Sequence, residues 1–236
     1  MNYFISDIHL KNDFEERAKT LILFCQKFSG QRLFLLGDIF DLWVADGKVF
    51  ERKYQNVIQA LMALKDKGVE LHYFEGNHDV YLKNFWQKKM GFNVYDKPVF
   101  FNIDGLEIRM EHGDDANPED KKYIKYKRFI RSPVMSLVAH ILPGKVFDHF
   151  GNKASKASRN NEHRYPWDVA SVLRSHIERI YSQKPFDVLI TGHMHKRIDE
   201  QISVNNKTIR NINLGWWGEK PIALKLENAE FSWLQL

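Results

Sequence analysis

The first 75 residues alternate between short apolar runs and longer segments with apolar residues at helical spacing. This alternation constrains the fold more than any other feature. The runs at residues 3–5, 32–36 and 70–75 have the length of buried strands. Residues 14–28 and 54–67 predict the amphipathic helices that connect them. A β-α-β-α-β order predicts a parallel sheet with helical crossovers, so we expect an α/β fold.

The remainder of the chain predicts further strands. One strand is expected at residues 187–190, directly before a cluster of histidines. Three hairpins are expected at residues 99–110, 201–212 and 222–234, where turn residues separate two apolar runs. These strands extend the sheet structure beyond the opening unit, so the overall expectation is α/β with added antiparallel (α+β) pairs.

A region of different composition interrupts this pattern. Residues 117–168 are rich in Lys and Arg and contain an apolar helical run at residues 134–142. We therefore assign residues 1–116 and 169–236 to a core and residues 117–168 to an inserted helical lid subdomain. Because the apolar run covers most of a helix circumference, it suits packing on the core and contact with lipid equally well.

Polar residues follow the predicted strands at their carboxyl ends, where open α/β sheets gather ligands. These residues are Asp7, His9, Asp38, Asn77, His112, His193 and His195. Carboxylate, imidazole and amide groups suit Mn, Fe(II) or Zn. Seven ligands exceed the needs of one ion with an open position, but they fit two ions that share a bridging carboxylate. Asp38 is the natural bridge, and such a pair of ions can activate water and clamp a phosphoryl group.

Charge and cysteine content limit the partners and the compartment. The formal net charge is +5 and the pI is about 9.1, which suits phosphate, nucleic acid or an acidic membrane surface. A merely solvated basic surface explains the charge equally well. Cys25 is the only cysteine, which excludes an internal disulfide and fits a reducing compartment. We see no signal-peptide pattern and no apolar run of roughly 18 residues, so we expect a soluble protein.

The order of these motifs resembles the calcineurin-like metallophosphoesterase family. The motifs are Asp7-Ile8-His9, Gly37-Asp38, Gly76-Asn77-His78-Asp79, His112 and Gly192-His193-Met194-His195. The resemblance implies a four-layer αββα sandwich with a two-metal site at its edge. It implies that Asp7, His9, Asp38 and His195 hold one metal, and that Asp38, Asn77, His112 and His193 hold the other. It favours manganese, with iron or zinc as alternatives.

The same resemblance implies catalytic roles for His78 and Asp79. In the family, the His of this turn lies beside the phosphate. It stabilises the developing charge or protonates the leaving oxygen, and we expect Asp79 to orient it.

A second resemblance is narrower. The run Gly37-Asp38-Ile39-Phe40-Asp41-Leu42-Trp43 and the composition of the insertion are similar to the UDP-2,3-diacylglucosamine hydrolases of lipid A synthesis. The resemblance implies hydrolysis of the substrate's pyrophosphate to UMP and 2,3-diacylglucosamine 1-phosphate, with the acyl chains in a groove between lid and core. Candidate substrate contacts in the lid are Arg128, Arg131, Ser155, Lys156, Ser158 and Arg159.

Departures from the narrower pattern keep other functions open. The best-studied branch has Arg where this chain has His78, and usually has Gly-Asp-Asp after the Trp, where this chain has residues 44–47. Residues 80–83, after Asp79, also differ from the usual pattern. One alternative is another phosphodiesterase of the larger family, acting on cyclic nucleotides, nucleic acid or phosphoproteins. The other is a non-catalytic binding module, which the complete ligand set disfavours. We expect a cytoplasmic protein, peripheral on the inner membrane, without a nucleic-acid partner or an obligate protein partner.

Overall fold

Two sheets form the centre of the computed structural model, which describes residues 1–45, 47–142, 146–147, 168–218 and 220–236. The strands are β1 Asn2–Ile5, β2 Arg32–Leu35, β3 Trp43–Val44, β4 Glu70–Phe74, β5 Asp79–Val80, β6 Asn93–Tyr95, β7 Val99–Ile103, β8 Leu106–Met110, β9 Val188–Thr191, β10 Ile198–Val204, β11 Lys207–Asn213, β12 Ile222–Glu227 and β13 Glu230–Gln235. The helices are α1 Glu16–Gln26, α2 Lys48–Lys53, α3 Gln55–Asp66, α4 Lys121–Ile130, α5 Pro133–Ile141 and α6 Val169–Tyr181, with a π-helix at Lys83–Lys89.

The predicted parallel unit lies in the larger sheet. Its six strands have the order β13-β12-β1-β2-β4-β6, and β1, β2, β4 and β6 are mutually parallel. The smaller sheet has the order β10-β11-β9-β8-β7, and its strands β8, β9 and β11 are parallel. The parallel strands of both sheets therefore direct their carboxyl ends to one edge of the molecule.

Alternating side chains on the strands produce the layers. In β1, Tyr3 and Ile5 pack in the core that includes α1 and α3, whereas Phe4 packs on the opposite face. Phe4 belongs to a buried cluster with Ile108 and Ile190 of the smaller sheet. The far side of that sheet packs against α6 in a third cluster. Two sheets between helical layers make the αββα sandwich, which confirms the predicted fold class.

The predicted hairpins and long helices are present with small shifts of their ends. The expected helix at residues 54–67 is present as α3, and Tyr54 separates it from the short helix α2, which was not predicted. Periodicity did not predict the two-stranded ribbon of β3 and β5 or the π-helix. These short pieces surround a buried group of aromatic rings that includes Trp43 and Trp86, so tertiary packing determines them.

The insertion contributes α4 and α5 within its described residues. Asp120 and Ser132 cap these helices through side-chain acceptors, and Pro133 occupies the first turn of α5. Ala139 is buried against the core that contains α1 and α3, whereas Val134 is 70% exposed. The helix α5 therefore packs on the core along one edge only. The boundaries at residues 117 and 168 stay a prediction. None of the helices in these described ranges has the length and apolar character needed to cross a bilayer.

Candidate metal centre

The seven predicted ligands converge where the parallel strands end. Asp7 and His9 follow β1, Asp38 follows β2, Asn77 follows β4, His112 follows β8, and His193 and His195 follow β9. Because both sheets present their carboxyl ends at the same edge, residues up to 188 positions apart are brought into one site.

The first cluster of ligand atoms contains Asp7, His9 and His195, whose atoms lie within 4.8 Å of one another. His9 Nε2 is 3.1 Å from His195 Nε2, and His195 Nε2 is 3.4 Å from Asp7 Oδ1. Asp38 Oδ2 lies 3.8 Å from His9 Nε2, which places the predicted bridge beside this cluster.

The second cluster contains Asp38, His112 and His193, again with ligand atoms within 4.8 Å of one another. His112 Nε2 is 3.5 Å from Asp38 Oδ2 and 3.2 Å from Asn77 Oδ1. The same Asn77 oxygen lies 2.9 Å from His193 Nδ1. Asp38 thus faces both clusters. This grouping matches the predicted division between two ions, although ligation itself stays a prediction.

The donor set fits a divalent cation. Imidazole nitrogens together with carboxylate and amide oxygens are the ligands of Mn, Fe and Zn sites. Asp7 and Asp38 are almost fully buried, and unpaired buried carboxylates are costly. Bound cations would compensate that charge.

The backbone at the ligands adopts an uncommon conformation. Asp7, His9, Asp38, His193 and His195 have positive φ angles of 51°, 51°, 54°, 65° and 54°. A side-chain-bearing residue in this region costs on the order of 1–3 kcal/mol, and such residues cluster at functional sites. Five such positions in one site indicate that the fold sacrifices local stability to aim these side chains.

Glycines make room for the ligands. Gly37 has φ +85°, and a Cβ there would lie 2.5 Å from His112 Nδ1. A Cβ at Gly76 would clash with Asp38 Oδ1, and one at Gly192 would clash with Asp7 Oδ2. The glycine in each motif therefore lets the backbone pass close to a ligand side chain.

The charge of Asp38 favours a positive charge at His112, whereas burial keeps the imidazole of His9 neutral. Burial acts to raise the pKa of Asp38, but His112 and His78 hold it well below its usual range. Burial acts against the charged form of His112, yet the Asp38 carboxylate raises its pKa to about 10. The same negative charge would favour a divalent cation. Burial lowers the pKa of His9 to about 3, so this imidazole is neutral, as a metal ligand must be.

His78 lies beside both ligand clusters. Its ring packs edge-on against His9 at 4.8 Å, and its backbone N–H donates to Asp38 Oδ1 at 2.9 Å. His78 Nδ1 lies 2.8 Å from the carbonyl oxygen of Asp41. Since a carbonyl only accepts, Nδ1 carries a proton in this arrangement. The other ring nitrogen, Nε2, is then the one on which a proton can be gained or lost.

Asp79 has a different position from the expected one. Its carboxylate accepts backbone N–H groups of Asp38, Ile39 and Gly76 and the hydroxyl of Tyr73, at 2.7–3.0 Å. The hydrogen bonds of the described residues include none from Asp79 to the His78 ring, whose Nδ1 faces Asp41. Burial, followed by the charge of Asp38, raises the pKa of Asp79 to about 7. Asp79 therefore joins two ligand-bearing turns.

The six lid residues predicted to contact substrate differ in where the structure places them. Arg128 is exposed on α4. Arg131 forms an ion pair with Glu75 and donates to the carbonyl of Gly76 at 3.3 Å, so it contacts the ligand-bearing turn. Ser155, Lys156, Ser158 and Arg159 lie outside the described residues.

Sequence reasoning missed two aromatic residues at the site. Tyr123 of α4 donates from its hydroxyl to Asp114 at 2.6 Å, and its ring lies 5.7 Å from that of His193. Trp216 stacks on His195. Asp114 lay two residues from a predicted ligand, but nothing in the sequence indicated which aromatic residues would reach the site.

Fold and site together define a metallophosphoesterase. The family described as calcineurin-like phosphoesterase matches residues 3–197, and the chain belongs to this family. It is a metal-dependent hydrolase of phosphoric esters or pyrophosphates, with a divalent metal cofactor.

Similar proteins of known name extend along the whole chain. It is 27% identical over 240 residues to a UDP-2,3-diacylglucosamine hydrolase of Vibrio atlanticus, a match that covers 98% of each chain. It is 27% identical to a protein of the same name from Pseudomonas fluorescens, over 97% of this chain and 92% of the relative. Among solved structures, a novel archaeal phosphodiesterase matches with a TM-score of 0.52 and 16% identity, covering 100% of this chain and 99% of the other. The last likeness concerns the fold alone.

Proposed function

We propose that this protein hydrolyses the pyrophosphate of UDP-2,3-diacylglucosamine to UMP and 2,3-diacylglucosamine 1-phosphate, with two divalent ions, preferably Mn²⁺. Relatives with that name align along nearly the full chain, including the insertion. The observation that carries the proposal is an apolar lid beside a phosphoesterase metal centre. Through Tyr123, helix α4 contacts the second ligand cluster.

The lid provides the apolar surface that an acylated substrate needs. Val134, Leu137 and Ile141 of α5 are 70%, 62% and 69% exposed, and Phe129 of α4 is 61% exposed. Apolar side chains on two adjoining helices form a surface for acyl chains, next to a cationic site for phosphates. A phosphodiesterase for small polar esters has no need of such a surface.

The predicted ligands would hold two divalent ions that take part in the reaction. Bound divalent ions would supply an activated water and neutralise charge on the phosphoryl oxygens. Asp7, His9, Asp38 and His195 would hold one ion, and Asp38, Asn77, His112 and His193 the other. Asp38 accepts the backbone N–H of His78, which fixes the turn against the shared ligand.

His78 would complete the reaction as a general acid. Attack of the water oxygen forms a new P–O bond as the bond from phosphorus to the bridging oxygen breaks. Proton transfer from His78 Nε2 to the leaving phosphate oxygen would assist this cleavage. On the other edge of the ring, His78 Nδ1 donates a hydrogen bond to the Asp41 carbonyl, which keeps the imidazole in place.

The same lid supports a peripheral position on the cytoplasmic face of the inner membrane. The exposed Phe129 lies on α4, which also carries the exposed Arg128 and Lys125, and α4 adjoins the apolar α5. Apolar and cationic groups on one element suit an anionic lipid surface, where a lipid-linked substrate resides.

Product analysis tests the proposal. Protein loaded with Mn²⁺ is supplied with UDP-2,3-diacylglucosamine, with UDP-N-acetylglucosamine as a substrate without long acyl chains, and with bis-p-nitrophenyl phosphate. We expect release of UMP from the lipid substrate at a rate at least about a hundredfold above the other two, because acyl-chain binding energy is available only there. Turnover of the generic ester alone would contradict the lipid substrate and favour another phosphodiester.

A further inference from the structure

Trp216 is an exposed aromatic residue at the edge of the metal centre. Its side chain is 45% exposed, whereas Trp43, Trp86 and Trp217 are buried at 0–1%. The indole stacks on the imidazole of His195, with ring centroids 6.3 Å apart and an angle of 21° between planes. A large flat ring therefore lies open to solvent directly beside a predicted metal ligand.

The turn after β11 fixes this indole. Gly215 has φ +72°, and its N–H donates to Asn213 Oδ1 at 3.2 Å. The next residue, Trp217, is buried, and its N–H donates to the Asp7 carbonyl at 3.3 Å. A Cβ at Gly218 would lie 2.8 Å from the Trp216 ring, so the ring rests close to the Gly218 backbone. Because the ring is held in place before any ligand arrives, little freedom is lost on binding.

Trp216 and the lid contact opposite halves of the site. Trp216 stacks on His195, which belongs to the first ligand cluster. Tyr123 of the lid packs near His193, which belongs to the second. The proposed substrate has a nucleoside at one end of its pyrophosphate and an acylated sugar at the other. Trp216 and Tyr123 border different parts of the site. If the acylated sugar lies toward the lid, the nucleotide end lies toward Trp216.

We propose that Trp216 is a stacking platform for the nucleobase of the substrate. This inference rests on the proposed function, since it requires a nucleotide as one half of the substrate. Stacking on an aromatic ring increases affinity by roughly five- to hundredfold per base and reads the flat face of the base. An isolated indole beside polar ligands suits a base better than an acyl chain, which needs an extended apolar surface such as the one on α5.

Calorimetric titration of the protein loaded with Mn²⁺ tests the platform. The ligands are UMP and ribose 5-phosphate, which share the phosphate and the sugar and differ by the base. Wild-type protein binds UMP at least about fivefold tighter than ribose 5-phosphate. Because stacking does not depend on the edge of the base, AMP binds at least as tightly as UMP.

Two substitutions and one control isolate the ring. Trp216→Ala reduces UMP affinity to that of ribose 5-phosphate and leaves the ribose 5-phosphate affinity unchanged. Trp216→Phe keeps most of the preference for UMP. Leu23→Ala, which removes an exposed apolar side chain on α1, changes neither affinity. Metal content, measured for each variant, shows that the His195 ligand is intact.

The outcomes separate this inference from the proposed function. A wild-type preference for UMP that survives in Trp216→Ala overturns the platform and leaves the nucleotide substrate standing. Equal wild-type affinity for UMP and ribose 5-phosphate also overturns the platform, and the product analysis with the lipid substrate then decides the proposed function separately. A Trp216→Ala variant that keeps its UMP affinity but binds the lipid substrate more weakly assigns Trp216 to the acyl chains instead.

Discussion

Asp38 is the residue that faces both ligand clusters. Its Oδ2 faces His9 at 3.8 Å and His112 at 3.5 Å, while its Oδ1 accepts the N–H of His78 at 2.9 Å. Its backbone N–H donates to the buried carboxylate of Asp79 at 3.0 Å. The residue thus connects both ligand clusters to the turn that carries His78, the proposed general acid, and its φ of 54° shows that the backbone is constrained there.

Removal of one ligand from the second cluster tests the metal assignment. In Asn77→Ala and in His112→Ala, we expect metal affinity to fall at least about tenfold, since even residues behind the ligands contribute 10–100-fold. Far-UV circular dichroism should be unchanged, because both side chains face the site. Metal content after dialysis is the measurement. Asn102→Ala, at an exposed position of β7, is the control and should bind metal normally. Wild-type metal content in both ligand variants would contradict the assignment.

The convergence of the candidate ligands was predictable residue by residue, but the conformations and supports around them were not. The order of Asp7-Ile8-His9 and Gly192-His193-Met194-His195 identifies candidate ligands because it is a linear pattern. By contrast, the contact of Arg131 with Glu75 and the stacking of Trp216 depend on how distant segments meet. The role expected of Asp79 stays a prediction, and its hydrogen-bond partners, which include backbone N–H groups of the turn after β2, were not foreseen for the same reason.

At the scale of elements, hydrophobic periodicity predicted the strands and helices that are long enough to show a repeat. The buried strands and amphipathic helices of the opening unit appear close to their expected positions because each buries one repeating face. The ribbon of β3 and β5 has two residues per strand, too few to produce a pattern. It is held by aromatic packing, with Trp43 at 4.9 Å from Phe85 and 5.1 Å from Trp86, measured between ring centroids.

Trp43→Ala measures how strongly this aromatic cluster stabilises the folded protein. Trp43 is fully buried, and its Nε1 donates to the Ala45 carbonyl at 2.7 Å. We expect the free energy of unfolding to fall by about 3–5 kcal/mol, since the substitution leaves a cavity in a packed core. Urea denaturation provides the measurement. Leu23→Ala, at an exposed helix position, should shift it by no more than about 0.5 kcal/mol. Equal effects of the two substitutions would show that the cluster contributes little.

Arg131 joins the lid to the ligand-bearing turn and offers a matched comparison with Arg128. Arg131 pairs with Glu75, whose Oε1 also accepts the N–H of Leu82 at 2.8 Å, and the Tyr81 hydroxyl donates to the Ile130 carbonyl. Arg131→Gln leaves a carboxylate that is 3% exposed without its cation, so we expect a loss of about 1–3 kcal/mol in urea denaturation.

Arg128→Gln removes the same charge from an exposed position on the last turn of α4, just before Arg131, and should have almost no effect on stability. A double-mutant cycle with Glu75→Gln should show coupling for Arg131 and none for Arg128. Additive losses for Glu75→Gln and Arg131→Gln would mean that the ion pair does not secure the lid.

At the scale of the whole molecule, the lid places the most exposed apolar residues of α4 and α5 on one appendage of a basic protein. The net charge is +5, and the sandwich buries its own apolar residues in clusters on both sides of each sheet. Under the proposed function, the core would provide the metal site and the insertion would provide the surface that contacts lipid. Such a separation would let one fold serve polar and lipid-linked phosphodiesters alike.

Vesicle binding tests that separation directly. We expect the protein to sediment with vesicles containing phosphatidylglycerol, through electrostatic attraction and burial of the lid's apolar residues. Leu137→Asp should weaken partitioning roughly tenfold or more, because one Leu buried in the bilayer interface contributes about 1.5–3 kcal/mol. Leu23→Asp, the same change on α1, should leave it unaltered. High salt should reduce binding but not abolish it, because salt screens only the charges. If both variants bind as wild type does, or if salt alone releases all of the protein, the apolar face of α5 is not the membrane contact.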